Sequence, residues 1–147
     1  MAAPREEVFP FFSEARNLEL LTPDWLRFEV LTPDPVRMEE GTRIDYRLRL
    51  RGLPMRWRSE ITSWEPPVRF VDRQVKGPYR LWEHEHRFEP HGSGCRVLDR
   101  VRYAVPGGPG LERLVQRWLV GPDVERIFAH RSRRIRERFG SAAGEDG

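Results

Sequence analysis

The chain begins with two short stretches in which apolar residues recur at helical spacing. Val8, Phe11 and Phe12 lie on one face of a predicted helix that begins near Pro4, a residue suited to the first helical turn. Residues 17–21 predict a second short helix, because apolar positions again share one side and a Thr-Pro pair follows. The N-terminal part therefore predicts two short helices with one apolar face each.

After these helices the period of the apolar positions changes to two, which indicates β-strands. Glycine- and proline-rich turn signals separate six such segments, with the bounds 25–31, 42–51, 55–64, 68–75, 82–88 and 95–105. The connections are short, and this predicts a continuous antiparallel meander.

The fifth of these segments carries the most unusual side chains. Trp82, His84, His86 and Phe88 fall on one face of the strand, whereas the opposite face is mostly charged. Two imidazoles between two large rings are not typical of a hydrophobic core. They indicate a cavity with a few polar groups in its wall, as in a small-molecule site.

The C-terminal part returns to helical spacing. Residues 111–120 and 123–139 predict helices separated by a Gly-Pro break, and Val124, Ile127 and Phe128 belong to the apolar stripe of the second. A sheet with one apolar face needs a cover. We expect the long second helix to provide it.

Composition agrees with one folded domain that has a strongly charged surface. Of the 147 residues, 38% are hydrophobic and 33% are charged, and the aromatic share of 11% includes five tryptophans. We predict a single domain over residues 1–140 and a flexible tail over 141–147. A cavity lining is one place that accommodates so many rings.

Charge and cysteine content limit the cellular setting. The net charge is only +3, and acids alternate with arginines, so no strongly anionic partner is required. Cys95 is the single cysteine, which excludes an internal disulfide. No apolar run approaches the ~20 residues of a membrane span, and no signal-peptide pattern is present. We expect a cytoplasmic monomer or homodimer, not integral to a membrane and without a nucleic-acid partner.

Several segments together resemble a known family. They are residues 3–9, 17–23, 70–79, 82–88 and 99–106, and they cover nearly the whole chain. Through them the chain resembles the helix-grip superfamily of START, polyketide-cyclase and coenzyme-Q-binding domains (SRPBCC), in its bacterial cyclase/dehydrase-like, ligand-binding branch. The resemblance implies an α+β helix-grip fold: a curved antiparallel sheet of about six strands wrapped on a long C-terminal helix, with two short N-terminal helices.

The N-terminus departs from this pattern. In the family a β-strand normally precedes the segment that starts at Ala3, and here only Met1 and Ala2 precede it. We expect the family's first strand to be missing because the N-terminus is shortened or assigned late. An upstream in-frame extension with alternating apolar residues is then expected to raise the melting temperature, because it would cover a sheet edge.

The resemblance also implies an apolar cavity between the sheet and the C-terminal helix. We predict a non-catalytic protein that binds a small hydrophobic or amphipathic molecule there, such as a lipid, polyketide or quinone, without a cofactor. The predicted ligand-binding residues are Ile44, Tyr46, Leu48, Trp57, Ser59, Trp82, His84, His86, Phe88, Asp99, Val101, Tyr103, Trp118, Ile127 and Phe128.

His84, His86 and Asp99 lie on neighbouring predicted strands with the same inward parity. Three interpretations stay open for them: a structural hydrogen-bond network, orientation of a ligand's carbonyl or hydroxyl, and acid–base catalysis by a cyclase or dehydratase. Metal binding is a minor alternative, and we predict no metal. Asp72 and Gln74 share the inward parity, but the Gly-Pro turn nearby favours solvated positions for both.

The run 131–138 contains five arginines. One alternative function is an interaction module in which this run contacts an anionic membrane or partner. Charge reversal of Arg133 and Arg134 to Glu would test it. We favour a solvated helix face with basic residues at the helix C-terminus. Residues 107–110 lack the ending of a phosphate loop, and we expect a lid or hinge there.

Overall fold

The computed structural model describes residues 1–108, 110, 113 and 121–140. In chain order, this part forms two short helices, a six-stranded sheet and a long C-terminal helix, which confirms the predicted α+β architecture. The helices are α1 (Arg5–Ser13), α2 (Asn17–Leu21) and α3 (Gly121–Phe139). The strands are β1 (Glu29–Val30), β2 (Arg43–Leu50), β3 (Leu53–Glu65), β4 (Arg69–Lys76), β5 (Leu81–His91) and β6 (Gly94–Ala104).

The strands pair in chain order, each antiparallel to the next, so the sheet is the predicted meander. The turn between β2 and β3 has two central residues, Arg51 and Gly52, with φ of 49° and 79°. Two left-handed residues form a turn whose twist matches that of the flanking strands. The tight turn therefore sets the register in which Tyr46 faces Trp57.

The first strand is much shorter than predicted. Pairing with β2 is limited to Glu29–Val30, and a 3₁₀ turn occupies Asp24–Leu26. Arg27 ends that turn with φ of 48° and donates its amide to the Asp24 carbonyl. A left-handed residue interrupts extended backbone, so the strand prediction was wrong for residues 25–28.

A closely packed aromatic core lies between α1 and the sheet. Phe88 has no exposed surface, and the ring centroids of Phe9 and Phe12 lie 5.0 and 5.2 Å from that of Phe88. Pro10 lies inside α1, yet the helix continues to Ser13. Phe9 and Phe12 flank the proline and pack against the same ring, so tertiary contacts support both turns of the helix.

A bulge in β3 carries a further ring into this core. Ile61 pairs with Asp72 and Ser63 pairs with Val71, so one extra residue of β3 lies between the two pairs. The extra residue reverses which face later side chains occupy. Trp64 consequently packs on the inner face, 5.7 Å from the Phe70 ring.

Helix α3 lies across the inner face of the sheet. Ile135 packs into the aromatic core, and the Phe128 ring centroid lies 5.4 Å from that of His84. The predicted helix over 111–120 and the predicted tail over 141–147 lie outside the described residues, except for residue 113. The predicted lid at 107–110 is described only in part and stays a prediction. Within the described ranges, no helix has the length and apolar character needed to cross a membrane.

The first residue lies against the outer edge of β6. The Met1 amino group donates to the Cys95 carbonyl at 2.9 Å, and the Cys95 amide donates to the Met1 carbonyl at 3.1 Å. This is the pairing of two antiparallel strand residues. The expectation that the family's first strand is missing because the N-terminus is shortened or assigned late stays a prediction.

Candidate functional site

A cavity of about 160 Å³, partly open to solvent, lies between the inner face of the sheet and helices α2 and α3. Aromatic rings form much of its wall. The ring centroid of Trp82 lies 5.3 Å from that of Trp57 and 4.9 Å from that of Tyr79. Ile127 and Phe128 of α3 face these rings from the opposite side.

Most of the predicted ligand-binding residues line this cavity. They are Tyr46, Leu48, Trp57, Ser59, Trp82, His84, His86, Ile127 and Phe128. Period-two alternation places the strand residues on one face, and helical spacing places the last two on one side of α3. Their role in binding stays a prediction.

The other predicted residues lie elsewhere. Ile44 and Phe88 are packed into hydrophobic core clusters with 1% and 0% of their surface exposed, so neither lines the cavity. Val101 and Tyr103 are outside the lining because β6 lies beyond β5, although the Tyr103 ring contacts Trp82 at 6.0 Å. Asp99 lies behind the histidines. Trp118 is outside the described residues.

Several lining residues were not predicted. They are Leu18, Leu21, Thr22, Leu26, Phe28, Leu50, Asp72, Tyr79 and Arg131. Leu50 and Asp72 had a usable signal, because each shares the inward parity of its strand. The residues of α2 and of the turn after it become a wall only when the chain folds back on the sheet.

Gln74 supports this wall, contrary to the expectation that it is solvated. The Gln74 side-chain nitrogen donates to the Tyr79 carbonyl at 2.6 Å, and the Tyr79 amide donates to the Gln74 side-chain oxygen at 3.1 Å. The two bonds hold the turn between β4 and β5. They position the Tyr79 ring beside Trp57 and Trp82.

Two histidines and two aspartates form a polar cluster at the inner end of the cavity. His84 Nε2 lies 2.8 Å from Asp99 Oδ1, and His86 Nε2 lies 2.9 Å from Asp72 Oδ2. The register brings the four side chains together, since Asp72 is opposite His84 on β4 and Asp99 is opposite His86 on β6, and each of the two short contacts joins diagonal neighbours of this arrangement. The expectation that Asp72 is solvated was wrong, because only 20% of its side chain is exposed.

Arg131 of α3 completes the cluster. One Arg131 Nη atom lies 3.2 Å from His86 Nδ1 and 3.8 Å from Asp99 Oδ1. The side chain is 9% exposed, so the expectation of a solvated arginine run was wrong at this position. Among the described residues, nothing accepts a hydrogen bond from the buried Nε of Arg131.

Burial and mutual contact change the acidity of the cluster. Burial, together with neighbouring His86, lowers the pKa of His84 to about 4 despite the contact with Asp99. Burial alone would raise the pKa of Asp72 and of Asp99. The hydrogen bonds from the histidines, together with the electrostatic attraction of the histidines and of Arg131, outweigh this effect of burial, and both pKa values lie below the ordinary value of an aspartate. At neutral pH both carboxylates are ionised and His84 is neutral.

Within the part of the chain that the structure describes, no backbone group hydrogen-bonds either imidazole. Among the described residues, no group hydrogen-bonds His84 Nδ1, and the nearest carboxylate oxygen, Asp72 Oδ2, lies 4.0 Å from it. With Asp99 holding the opposite ring nitrogen, Nδ1 offers a lone pair on the cavity side. A conjugate acid with a pKa of about 4 makes His84 a weak base at neutral pH.

The rest of the arginine run faces away from the cavity. Arg133, Arg134 and Arg136 are exposed, and Arg134 pairs with Glu137 at 3.1 Å. Arg138 lies over the Phe11 ring, with its guanidinium carbon 4.4 Å from the ring centroid. An interaction through the exposed arginines stays a prediction.

Comparison with known proteins gives a family and a fold. A model of the family described as polyketide cyclase/dehydrase and lipid transport matches residues 1–129. The structure of TTHA0849 from Thermus thermophilus superposes with a TM-score of 0.68 at 23% identity, covering 94% of this chain and 93% of that one. No curated protein matches the chain.

Two further solved structures share the fold. CV1439 from Chromobacterium violaceum superposes with a TM-score of 0.68 at 13% identity, covering 97% of this chain and 93% of that one. Ara h 8.0201 superposes with a TM-score of 0.56 at 12% identity, covering 91% of each chain. At these identities the likeness concerns the fold alone, and it is the helix-grip fold expected from the sequence.

Proposed function

Because the chain belongs to the polyketide cyclase/dehydrase and lipid transport family, we propose that its cavity binds a small hydrophobic or amphipathic molecule. One observation carries the proposal: an aromatic-walled cavity ends at a buried polar cluster. Such a site holds the apolar part of a ligand by burial and its polar group by a few placed hydrogen bonds.

The volume limits the part of the ligand that is enclosed. A cavity of about 160 Å³ is close to the size that holds one benzene-like ring in a protein core. We therefore propose that one ring, or a chain segment of similar volume, is enclosed between Trp57, Trp82 and Phe128. The remainder of a larger lipid, polyketide or quinone lies at the mouth.

The inner end favours a ligand with a hydroxyl or carbonyl group. The His84 lone pair can accept a hydrogen bond from a hydroxyl, and the Arg131 Nε–H can donate one to an oxygen. Burial of an unpaired polar group costs free energy, so a ligand that pairs with these atoms gains relative to a purely apolar one.

The apolar part of the proposal is tested by filling the cavity. Ile127→Trp places an indole in the lining, whereas Ala129→Trp adds the same ring on the exposed side of α3. With 1-naphthol as the probe in isothermal titration calorimetry, we expect Ile127→Trp to weaken binding by about tenfold or more and Ala129→Trp to leave it unchanged. Equal affinities of the two variants would contradict binding in this cavity.

The polar part is tested with a pair of probes. Naphthalene and 1-naphthol share the ring system and differ by one hydroxyl. We expect 1-naphthol to bind about fivefold more tightly, the equivalent of one neutral hydrogen bond. Equal affinities would exclude a polar contact at the inner end. Native mass spectrometry of protein purified from its own host then identifies any molecule that co-purifies.

A further inference from the structure

Two ring nitrogens and one carboxylate oxygen converge at the inner wall of the cavity. Asp72 Oδ2 lies 2.9 Å from His86 Nε2 and 4.0 Å from His84 Nδ1. One potential ligand atom from each of these three residues lies within 4.8 Å of the other two. We propose that Asp72, His84 and His86 bind a divalent transition-metal ion of the zinc type, which goes beyond the proposed ligand binding.

The spacing is close to that of a coordinated ion. Metal–ligand bonds of 2.0–2.1 Å in tetrahedral geometry separate the ligand atoms by about 3.3 Å. The 2.9 Å distance is slightly shorter than this separation and the 4.0 Å distance is longer, so metal binding would require the His84 ring to move closer to Asp72 Oδ2. Backbone pairing of β4 with β5 already holds Asp72 opposite His84.

Asp99 is placed as the outer partner of both histidines. Its Oδ1 lies 2.8 Å from His84 Nε2 and 3.2 Å from His86 Nδ1, the two ring nitrogens that do not point at Asp72 Oδ2. Metal-binding histidines typically donate their other N–H to a carboxylate, which sets the tautomer and the ring orientation. The Asp99 carboxylate is positioned to accept such a hydrogen bond from both rings.

Arg131 and the charges of the cluster are compatible with a cation. Two carboxylates accompany one guanidinium, so Asp72, Asp99 and Arg131 together carry one excess negative charge. A metal on His86 Nε2 would require the ring proton to be on Nδ1, where the N–H would donate a hydrogen bond to Asp99. Arg131 would then lose its contact with Nδ1 but could still pair with the Asp99 carboxylate, which lies 3.8 Å away.

The fourth coordination position is expected on the cavity side. Asp72, His84 and His86 all line the cavity, whereas Asp99 is on the far side of the rings. A three-residue nitrogen and oxygen set with an open position is the arrangement of reactive zinc sites, while closed structural sites have four protein ligands. A water molecule or the oxygen of a bound ligand would complete the shell. In the metal-loaded protein the His84 Nδ1 lone pair would bind the ion, so a ligand oxygen would contact the ion instead of His84; the naphthol experiments therefore apply to the metal-free protein.

The test is a titration of the tag-free, chelator-treated full chain with Zn²⁺, measured by isothermal titration calorimetry. We expect one ion per chain with a dissociation constant in the micromolar range or below. His84→Gln is expected to weaken binding by about 100-fold. The matched control is His130→Gln, since His130 lies on α3 and contacts Arg133 at 3.1 Å, away from the cluster; its affinity is expected to be unchanged.

Three further measurements keep the proposal falsifiable. Asp72→Asn serves as a second ligand variant if His84→Gln does not fold, as judged by circular dichroism. Asp99→Asn, a positioning variant, is expected to keep the stoichiometry of one but to weaken affinity by about tenfold. Co²⁺ is expected to give the visible absorption of a low-coordinate nitrogen and oxygen site, and Mg²⁺, which prefers six oxygen ligands, is not expected to compete.

Several results would overturn the proposal: no saturable Zn²⁺ binding, equal affinities of wild type and His84→Gln, equal losses in His84→Gln and His130→Gln, or displacement of Zn²⁺ by equimolar Mg²⁺. None of these measurements uses an organic ligand. A failure to bind metal would therefore contradict only the metal proposal, and a failure to bind naphthol would contradict only the proposed ligand binding.

Discussion

Strand β5 passes through two regions that differ in packing although they share one sheet face. At one end, Phe88 has no exposed surface and is enclosed by the rings of Phe9 and Phe12. At the other end, Trp82 stays partly exposed and contacts Trp57 in the wall of the cavity. The same alternation of inward side chains thus gives a packed core in one place and a binding surface in the other.

The covering helices account for the difference. Helix α1 inserts Phe9 and Phe12 directly onto the sheet and fills the space above Phe88. Helix α3 covers the other end with Ile127 and Phe128, which leave a cavity between helix and sheet. The guanidinium of Arg131, on the same helix, reaches the polar cluster. The histidines lie at the boundary between the two regions, where they are buried on one side and line the cavity on the other.

Truncating a ring in each region tests this comparison with the largest expected effect. Phe88→Ala removes a fully enclosed ring and should lower the free energy of unfolding by about 4 kcal/mol. Trp82→Ala removes a ring that already borders a cavity and should cost about half as much. Urea denaturation measures both. Equal losses would show that the two ends of β5 are equally well packed.

The exposed Leu98→Ala variant on β6 is the control for these truncations. Leu98 has 43% of its surface exposed, so its loss should change the free energy of unfolding by less than about 0.5 kcal/mol. A larger change would indicate that truncation affects the sheet independently of burial.

The boundary between the regions is tested next by removing its buried cation. Arg131→Met keeps most of the side-chain stem but leaves the Asp72 and Asp99 carboxylates uncompensated, and it should cost about 3 kcal/mol. Arg136→Met on the exposed side of α3 should cost little. Adding Asp99→Asn to Arg131→Met should recover part of the loss. No recovery would mean that the arginine acts mainly through packing.

Removing an ion pair on the outer face of the sheet should have the smallest effect on the free energy of unfolding. Arg58 Nε donates to Asp45 Oδ1 at 2.7 Å, and this hydrogen bond lowers the pKa of Asp45 from its ordinary value. A lowered folded-state pKa stabilises the protein above the unfolded pKa, and the benefit is lost as the pH falls through the folded value. Wild type should exceed Asp45→Asn in stability at neutral pH.

That difference should shrink as the pH falls below about 4, and unfolding curves at several pH values measure it. Added salt should reduce it as well, because the pair is nearly half exposed. A difference that is constant across this range would contradict the assigned ion pair.

The fold was largely predictable because its signals are local. Period-two alternation and the Gly and Pro turns gave β2 through β6 and the inward face of Trp82, His84 and His86. The extent of the first strand was predicted wrongly because a left-handed Arg27 has no signal in a single sequence. Part of the cavity lining was predictable for the same reason, since shared parity brought Leu48, Trp57 and Ser59 to one side.

The partners within the polar cluster were less predictable. Asp99 follows from hairpin register, and it was predicted. Asp72 was expected in solvent because it is close to a turn, but pairing with β5 brings it against His86. Arg131 lies 45 residues from His86 in sequence, inside a run of similar arginines. Only the angle at which α3 crosses the sheet selects which member of that run is buried.

By itself, the sequence determined an antiparallel meander, its inward face, the covering helix and a strand with two inward histidines. These features depend on side-chain period and turn chemistry, which act over a few residues. Only the tertiary structure decided that Phe88 belongs to a closely packed core, that Trp82 borders a cavity, and that Asp72 and Arg131 join the histidines. Those outcomes depend on how far each helix lies from the sheet, a distance set by the fit of all facing side chains together.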